Sequence, residues 1–589
     1  MAGPESDLLV DIKNVTYTHW NHSDPTLKDL SLQIRRGTLN VLVGPGGSGK
    51  STICDLISGK IPHLLGGNLT GEVYIGGENA QSIEVKDLSH RVGYVFQDPE
   101  TMFATLTVED EIAFGPENLR QEPAAIRPIV EELLDLTQLR PFRTRLVWNL
   151  SGGQVQKLGL AAILAMRPEM IVLDEPTANL DPVATRSVHE VVRGLRDSGM
   201  TVLLVTRELD DFLALADQLL VLDDGHIFAA GKPYDVLREA GQDMVDHLGI
   251  WLPETAEIGL ALKKSGCCPV NSIPIRVDET LDLLKSSGLL RDSVHGLNGP
   301  AGTQTGEVLI SARDLTYAYA GGTQALKGVS FEIRAGEMLA IVGRNGAGKS
   351  TLARLLVGLL KPQHGELNLF GKPARQWKVA DLANHVALVF QNPEHQFLTD
   401  TVSDEIDYSL LARGISDPDE RKAIIAKTLE ELGLSSMANV HPFALSAGMK
   451  RRLGVATMLV SQPQVLILDE PTYGQDKQMT QTLMALMEQI RSRGIAVVMI
   501  THDMRLVQEY AGRALVMSEG EIHYEGSPAD LFHQEDVLVK ANLRPTILLE
   551  LMRSMEDQGV TFSGEIRTTQ NFLDALQVTT PGEVQHGIQ

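Results

Sequence analysis

Short apolar runs that end in glycine-rich turns set the pattern of this chain. Leu39–Val43 and Met338–Val342 are largely apolar and feed directly into such turns, and residues 170–173, 201–205, 465–468 and 495–500 are further short apolar runs. Their brevity and β-branched content predict strands buried on both faces of a parallel sheet. Helical patterns such as 159–166 separate them, so the fold class expected is α/β. No stretch approaches the ~20 consecutive apolar residues of a membrane-spanning helix. The run at 158–166, among the longest, is stopped by Arg167 and Pro168. Met1-Ala2-Gly3-Pro4-Glu5-Ser6-Asp7 is acidic and polar and does not read as a signal peptide. The expectation is a cytosolic protein whose membrane role, if it has one, comes through a partner.

The pattern occurs twice. Gly44-Pro45-Gly46-Gly47-Ser48-Gly49-Lys50-Ser51-Thr52 returns as Gly343-Arg344-Asn345-Gly346-Ala347-Gly348-Lys349-Ser350-Thr351. Val95-Phe96-Gln97-Asp98-Pro99-Glu100 returns as Val389-Phe390-Gln391-Asn392-Pro393-Glu394. One constant spacing separates Ser151 from Ser446, Asp174 from Asp469, and Arg207 from His502. This is duplication of a whole domain. The tails echo each other more faintly: Leu252-Pro253, Gly266, Ile275 and Leu281 to Leu284 against Leu543, Pro545, Gly559, Ile566 and Leu573 to Leu576. The Ser- and Gly-containing stretch 285–306 reads as a flexible linker.

Composition narrows the function classes. With 589 residues, 43% apolar and 22% charged, the chain has material for several ordinary cores. A net charge of −24 without a sustained basic stripe argues against a nucleic-acid partner. Cys54, Cys267 and Cys268 make neither a disulfide framework nor a spaced metal site.

The glycine-rich turns are phosphate loops by their chemistry. Glycines let successive backbone N–H groups turn toward a triphosphate, and the following helix adds its positive N-terminus. Lys50 and Lys349 are expected to reach the phosphates of ATP, and Ser51 and Ser350 to ligate Mg²⁺. Asp174 and Asp469 end apolar strands, placing a carboxylate for the metal, and Glu175 and Glu470 follow to polarise the attacking water.

The ordered set of phosphate loop, Gln97 and Gln391, Leu150-Ser151-Gly152-Gly153-Gln154 with its echo Leu445-Ser446-Ala447-Gly448-Met449, Asp174-Glu175-Pro176 with Asp469-Glu470-Pro471, and Thr501-His502-Asp503 resembles the ATP-binding cassette (ABC) family. The resemblance implies an α/β chain of two tandem P-loop nucleotide-binding domains. Each would carry a helical subdomain and a small C-terminal appendage: 1–245 and 246–284, the linker 285–306, then 307–537 and 538–589. It further implies head-to-tail pairing of the cassettes, within the chain or between chains. Each ATP would then lie between one phosphate loop and the opposite signature, here Ser151, Gly152, Gly153 and Gln154 or Ser446. Gln97 and Gln391 would assist the metal and the water, Asp181 and Asp476 would form the D-loops, and His502 would act as the switch. An adenine-stacking aromatic is expected at Tyr319, and at Tyr17 or Trp20 in the first half.

Two departures stand out. The switch histidine is replaced by Arg207 in the first half, and a guanidinium cannot accept a hydrogen bond. In the second signature Ala447 and Met449 replace glycine and glutamine. Head-to-tail pairing would bring these two defects together, predicting one competent and one impaired ATP site. The stretches from Phe96 to Asn118 and from Phe390 to Ile406 are similar to the ATPases of energy-coupling factor importers, which take up vitamins or transition-metal ions. That similarity implies integral-membrane partners, a coupling subunit and a substrate-binding one, at the cytoplasmic face of the membrane. The surfaces around 97–111 and 391–405 would grip the coupling subunit, with Glu100, Glu109, Glu394 and Asp404 attracting basic residues. Alternatives are a tandem sugar-importer ATPase and a translation-associated tandem cassette protein.

Overall fold

In the computed structural model, which describes residues 7–20, 22–178, 180–266, 273–296, 306–472 and 475–578, the chain divides into two compact units between Leu290 and Arg291. Cys267, Cys268 and positions 297–305 of the expected linker lie outside the described residues. Among those described, no helix is long and apolar enough to cross a membrane.

The first unit is built on a six-stranded sheet. Its order is His226–Gly231, Gln218–Asp223, Leu39–Val43, Thr201–Val205, Met170–Asp174 and Val92–Val95, all parallel except the first. Side chains alternate between two cores: Val41, Ile171, Leu173 and Leu204 face one, and Leu42, Val172, Leu203 and Leu220 the other. Burial on both faces is why these strands read as nearly continuous apolar runs. A four-stranded antiparallel sheet, Leu27–Arg35, Leu8–His19, Gly67–Ile75 and Glu78–Asn79, covers one face. Helices Val108–Asn118, Pro123–Leu136 and Gly152–Leu164 form the helical subdomain.

The second unit repeats this plan. Its six-stranded sheet runs Val386–Val389, Val465–Asp469, Ala496–Thr501, Met338–Val342, Arg513–Ser518 and Glu521–Gly526. Its four-stranded sheet runs Gln324–Arg334, Val308–Ala318, His364–Leu369 and Lys372–Pro373. Helices Val402–Ala412, Pro418–Glu431 and Ala447–Leu459 make its helical subdomain. In both units the strand leading into the phosphate loop lies inside the sheet, so the loop opens at the carboxyl ends of the strands.

The tails are not loose. Helix Glu254–Ser265 is tied to the segment leading into helix Val277–Ser286 by the Thr255 hydroxyl donating to the Ile275 carbonyl at 2.9 Å, and Leu252, Ala256, Leu260 and Ile275 share the cassette core. In the second tail, helix Ile547–Glu556 is N-capped by Thr546, whose hydroxyl also donates to Gln508 Oε1 on helix Met504–Tyr510. The stretch read as a flexible linker is partly ordered. Its first residues finish helix Val277–Ser286, and Ser293–His295 pairs in parallel with Thr561–Ser563 of the second tail. Thr561 N donates to Asp292 O at 2.9 Å, and Gly296 N to Ser563 O at 2.7 Å.

Candidate active site

Each phosphate loop is shaped by glycines of two kinds. A Cβ on Gly44 would come 2.2 Å from the Leu222 carbonyl oxygen, and one on Gly343 would come 2.1 Å from that of Met517, so these two positions are fixed by backbone packing. Gly46, Gly47 and Gly346 have nothing within 4 Å on that side and leave the cradle open. Gly49 and Gly348 take φ of 103° and 102° at the start of helices Lys50–Ile57 and Lys349–Leu356, a conformation that favours glycine. Lys50 Nζ folds back to donate to Gly44 O at 2.8 Å and Pro45 O at 2.7 Å; Lys349 does the same with Gly343 O at 2.6 Å and Arg344 O at 3.1 Å. Burial, followed by the charge of Arg207, pushes the Lys50 ammonium down to about 8 against the pull of Glu175 and Asp174. Ser48 Oγ is buried in the first loop without a hydrogen-bond partner.

Two carboxylates follow each central strand. Asp174 is buried; burial raises its pKa, while hydrogen bonds from Tyr94 and Ser51 pull it back. The Tyr94 hydroxyl donates to Asp174 Oδ2 at 3.1 Å, and the residue at that place in the second half is Leu388. Asp469 is pushed up to about 6 by burial and by the neighbouring Glu470. Glu175 and Glu470 both sit at φ 47°, outside the usual range for a side-chain-bearing residue. Their N–H groups donate to Val205 O at 2.9 Å and Ile500 O at 2.8 Å, which holds that strained backbone in place.

The two glutamates face different partners. Arg207 Nε donates to Glu175 Oε1 at 2.7 Å as an ion pair, and Gln97 Nε2 reaches Glu175 Oε2 at 3.4 Å. Glu470 Oε1 lies 2.8 Å from His502 Nδ1, and its Oε2 accepts from the Thr501 hydroxyl at 3.2 Å. Burial pushes the Glu470 carboxyl up, but the charge and hydrogen bond of His502, with Lys349 nearby, outweigh it and hold it below its ordinary value. Imidazole can both donate and accept; the guanidinium only donates and neutralises.

Signature helices begin at Ser151 and Ser446. Gln154 Oε1 accepts from Ser151 N at 3.0 Å, the return half of a capping box. Met449 cannot return that bond, and only Ser446 Oγ, accepting from Met449 N at 3.4 Å, caps the second helix. Gly153 is packed against Ala184, whereas a Cβ on Gly152 would meet only Leu180 Cδ2 at 3.5 Å. Its own cassette therefore does not demand glycine at 152. Asp181 and Asp476 each cap a long helix, accepting from Ala184 N at 2.9 Å and Met479 N at 2.8 Å. Behind the signatures, Gln156 donates to Gln97 O at 3.2 Å, and Arg451 occupies the matching place in the second half.

In the first half the structure removes Tyr17 from the aromatic candidates. The Tyr319 hydroxyl lies 3.1 Å from Thr351 Oγ1, beside the phosphate loop. Tyr17 is buried and donates to Gly66 O at 2.8 Å, so it is packing, and Trp20 is 74% exposed. His19 takes the place of Tyr319: its Nε2 is 3.4 Å from Thr52 Oγ1, the counterpart of Thr351. The residue order Tyr17-Thr18-His19 against Tyr317-Ala318-Tyr319 carried that signal.

Several acidic residues of the expected docking surface are already engaged within their own cassette. Glu111 is buried and accepts from Ala104 N, Thr105 N and the Thr105 hydroxyl; Glu405 does the same for Leu398 N, Thr399 N and the Thr399 hydroxyl. Glu109 pairs with Arg143, Glu394 with Lys450 at 2.6 Å, and Asp404 accepts from the hydroxyl of Thr401, the N-cap of its helix. These carboxylates shape the loops. Glu100 and Asp404 remain exposed, beside exposed apolar residues: Leu106 and Trp148 in the first half, Leu398 and Phe443 in the second.

The ABC transporter family profile matches residues 27–178 and 326–473. A putative ABC transporter ATP-binding protein of Methanosarcina mazei is 36% identical over 590 residues, covering 98% of this chain and 99% of its own. The putative HMP/thiamine import ATP-binding protein YkoD of Bacillus subtilis is 36% identical over 555 residues, covering 94% and 97%. Among solved structures, cbiO1 of Clostridium perfringens, part of the ABC transporter complex cbiONQ, shares 34% identity across 42% of this chain and 99% of its own, with a TM-score of 0.37.

Proposed function

Because the chain belongs to the ABC transporter family of ATP-hydrolysing, ATP-binding subunits, we propose that it powers an energy-coupling factor importer for a vitamin or a transition-metal ion from the cytoplasmic face of the membrane. Separate integral-membrane coupling and substrate-binding subunits would complete the transporter. Support for this class comes from the Phe96–Asn118 and Phe390–Ile406 stretches, and from likeness along nearly the full chain to a protein named for HMP/thiamine import.

The observation that carries the mechanism is the unequal setting of Glu175 and Glu470. In the second half, Glu470 is ionised and bonded to His502, a group able to pass a proton and hold a phosphate oxygen. In the first half the corresponding carboxylate is neutralised by Arg207. With the two cassettes paired head to tail, the Glu470–His502 loop would face the intact Ser151-Gly152-Gly153-Gln154 signature, whose Gly152 is free of local packing demands. The other loop would face Ser446-Ala447-Gly448-Met449. One site then hydrolyses ATP, and the other binds it and turns over slowly.

The donor sets suit Mg²⁺–ATP. Open glycines at 46, 47 and 346, the Lys50 and Lys349 ammonium groups and the buried Ser48 hydroxyl suit a polyphosphate, and the raised Asp469 is a carboxylate awaiting a cation. Ser51, Asp174 and Gln97, and likewise Ser350, Asp469 and Gln391, would hold the ion. Bound there, Mg²⁺ supplies charge neutralisation at the phosphates. Tyr319 and His19 would carry the adenine. The exposed apolar residues beside the Gln loops would receive the coupling subunit, together with the exposed carboxylates of Glu100 and Asp404.

Affinity purification from native membranes tests the transport reading. The expected result is co-purification of a small integral-membrane subunit and a second, substrate-binding one; ribosomes or no membrane protein would refute it. For the site assignment, Glu470→Gln is expected to abolish turnover while Glu175→Gln leaves most of it.

A further inference from the structure

One buried guanidinium joins two loops of the second half. Arg451 lies on helix Ala447–Leu459 and is 2% exposed. Its Nη1 donates to Phe390 O at 2.6 Å; its Nη2 donates to Gln391 O at 2.7 Å and to Glu470 O at 3.1 Å. The first two carbonyls belong to the Gln loop and the third to the glutamate proposed to polarise water. Burial lowers the guanidinium to about 10, so it stays charged at neutral pH.

An interior cation costs stability, and an apolar residue of similar volume is often equal or better there. Stability alone therefore does not account for it. A planar fork can hold carbonyls of two loops at one fixed spacing, which a flexible or single-donor side chain cannot do. The glutamate it holds is also the one whose backbone is strained at φ 47°.

The first half provides the contrast. Gln156 occupies the same helical position, donates once to Gln97 O at 3.2 Å, and leaves its Oε1 buried without a hydrogen-bond partner. The cation beside Glu175 is instead Arg207, on the carboxylate side. Each half thus has one guanidinium next to its glutamate, on opposite ends of the residue.

We propose that Arg451 is a positioning residue for ATP hydrolysis: it locks the Gln391 loop to the backbone of Glu470, so that the carboxylate is aimed only when the Gln loop is seated. This rests on the reading of the second half as the hydrolytic one. The first half has a glutamine at the corresponding position, which makes the Gln loop of the second half the one through which a docked membrane subunit sets the turnover rate.

The test uses the full chain with Arg451→Gln, Arg451→Lys and Glu470→Gln, reading kcat and KM for ATP, affinity for trinitrophenyl-ATP, and thermal midpoint. Glutamine at this place is tolerated by the first half, so Arg451→Gln is expected to fold. Its kcat is expected to fall about tenfold or more, with KM and trinitrophenyl-ATP affinity within about threefold. Arg451→Lys keeps the charge but not the fork, and is expected to lie between the two. A kcat of Arg451→Gln within about twofold of wild type, or a fall matched by equal loss of nucleotide affinity, overturns the proposal. So does a wild-type kcat in Arg451→Lys, which also decides the matter if the glutamine variant does not fold. If Glu470→Gln keeps turnover, the underlying reading fails and the proposal with it; if Glu470→Gln is silent and Arg451→Gln is unaffected, the proposal fails alone.

Discussion

Replacing Arg207 with histidine in a chain that also carries Glu470→Gln isolates the chemistry of the first half. The pair to be broken is Arg207 Nε to Glu175 Oε1 at 2.7 Å, with side-chain exposures of 33% and 12%. A hydrogen bond between charged groups contributes about 1.5–3 kcal/mol when buried, and exposed ion pairs contribute about 0–1 kcal/mol. One partner here is a third exposed, so about 1–2 kcal/mol favours the clamped glutamate. At about 1.4 kcal/mol per tenfold, releasing it should increase the available carboxylate roughly 5- to 30-fold. Phosphate release by Arg207→His/Glu470→Gln is therefore expected to exceed that of Glu470→Gln alone by up to that factor. Adding Ala447→Gly and Met449→Gln should increase it again, because those changes repair the signature that would complete the same site. A double variant no faster than Glu470→Gln, with trinitrophenyl-ATP binding intact, would refute the idea that the clamp limits this half.

Three further outcomes are expected. His19→Ala should weaken nucleotide binding by the first half about 3- to 10-fold by loss of a stacking face, while Trp20→Ala leaves it unchanged; the reverse order in a fluorescence titration would reinstate Trp20. Glu405→Gln should lower stability by about 1–3 kcal/mol, seen as a lower urea midpoint, because its Oε2 accepts from Leu398 N, Thr399 N and the Thr399 hydroxyl; an unchanged midpoint would contradict that anchoring. The Asp469 carboxyl is about 6 in the fold against 3.8 when unperturbed, so the native chain binds more protons between those values. Nucleotide-free stability should thus fall as pH rises through about 4 to 6, by at most about 3 kcal/mol. Asp469→Asn should remove that loss: its thermal midpoint without Mg²⁺–ATP should exceed wild type near neutral pH and match it near pH 4, and equal midpoints at both would contradict the assignment.

The sheet strands were legible because burial on both faces leaves an apolar run, as at Val41–Leu42–Val43, and the phosphate loops because glycine is required at positions such as 49 and 348. Motif order also brought Asp174, Glu175, Asp469 and Glu470 to the carboxyl ends of their strands. What escaped depends on contacts between distant residues. Nothing in the spacing of Arg451 or Gln156 indicates that they reach the Gln loop carbonyls. Glu109 and Glu394 look like free surface charge until Arg143 and Lys450 are seen beside them. His19 is a less familiar adenine platform than tyrosine or tryptophan, although its register with Tyr319 is present in the repeat. The serine and glycine content of 285–306 suggested only a tether, since the strand it pairs with lies far along the chain.

That strand bears on how the protein is made. His295 and Ser563, bonded side chain to side chain at 2.6 Å, are separated by 268 residues. During synthesis Ser293–His295 leaves the ribosome before the second cassette exists and has no partner until nearly the whole chain has emerged. Contacts of such high sequence separation form late and slowly, and an unpaired strand edge invites wrong pairing meanwhile. A second cassette expressed from residue 307 onward, or a chain cut before Thr561, would therefore leave one of these two strands permanently bare. Stop codons in the last few dozen residues should harm solubility more than their distance from the phosphate loops suggests.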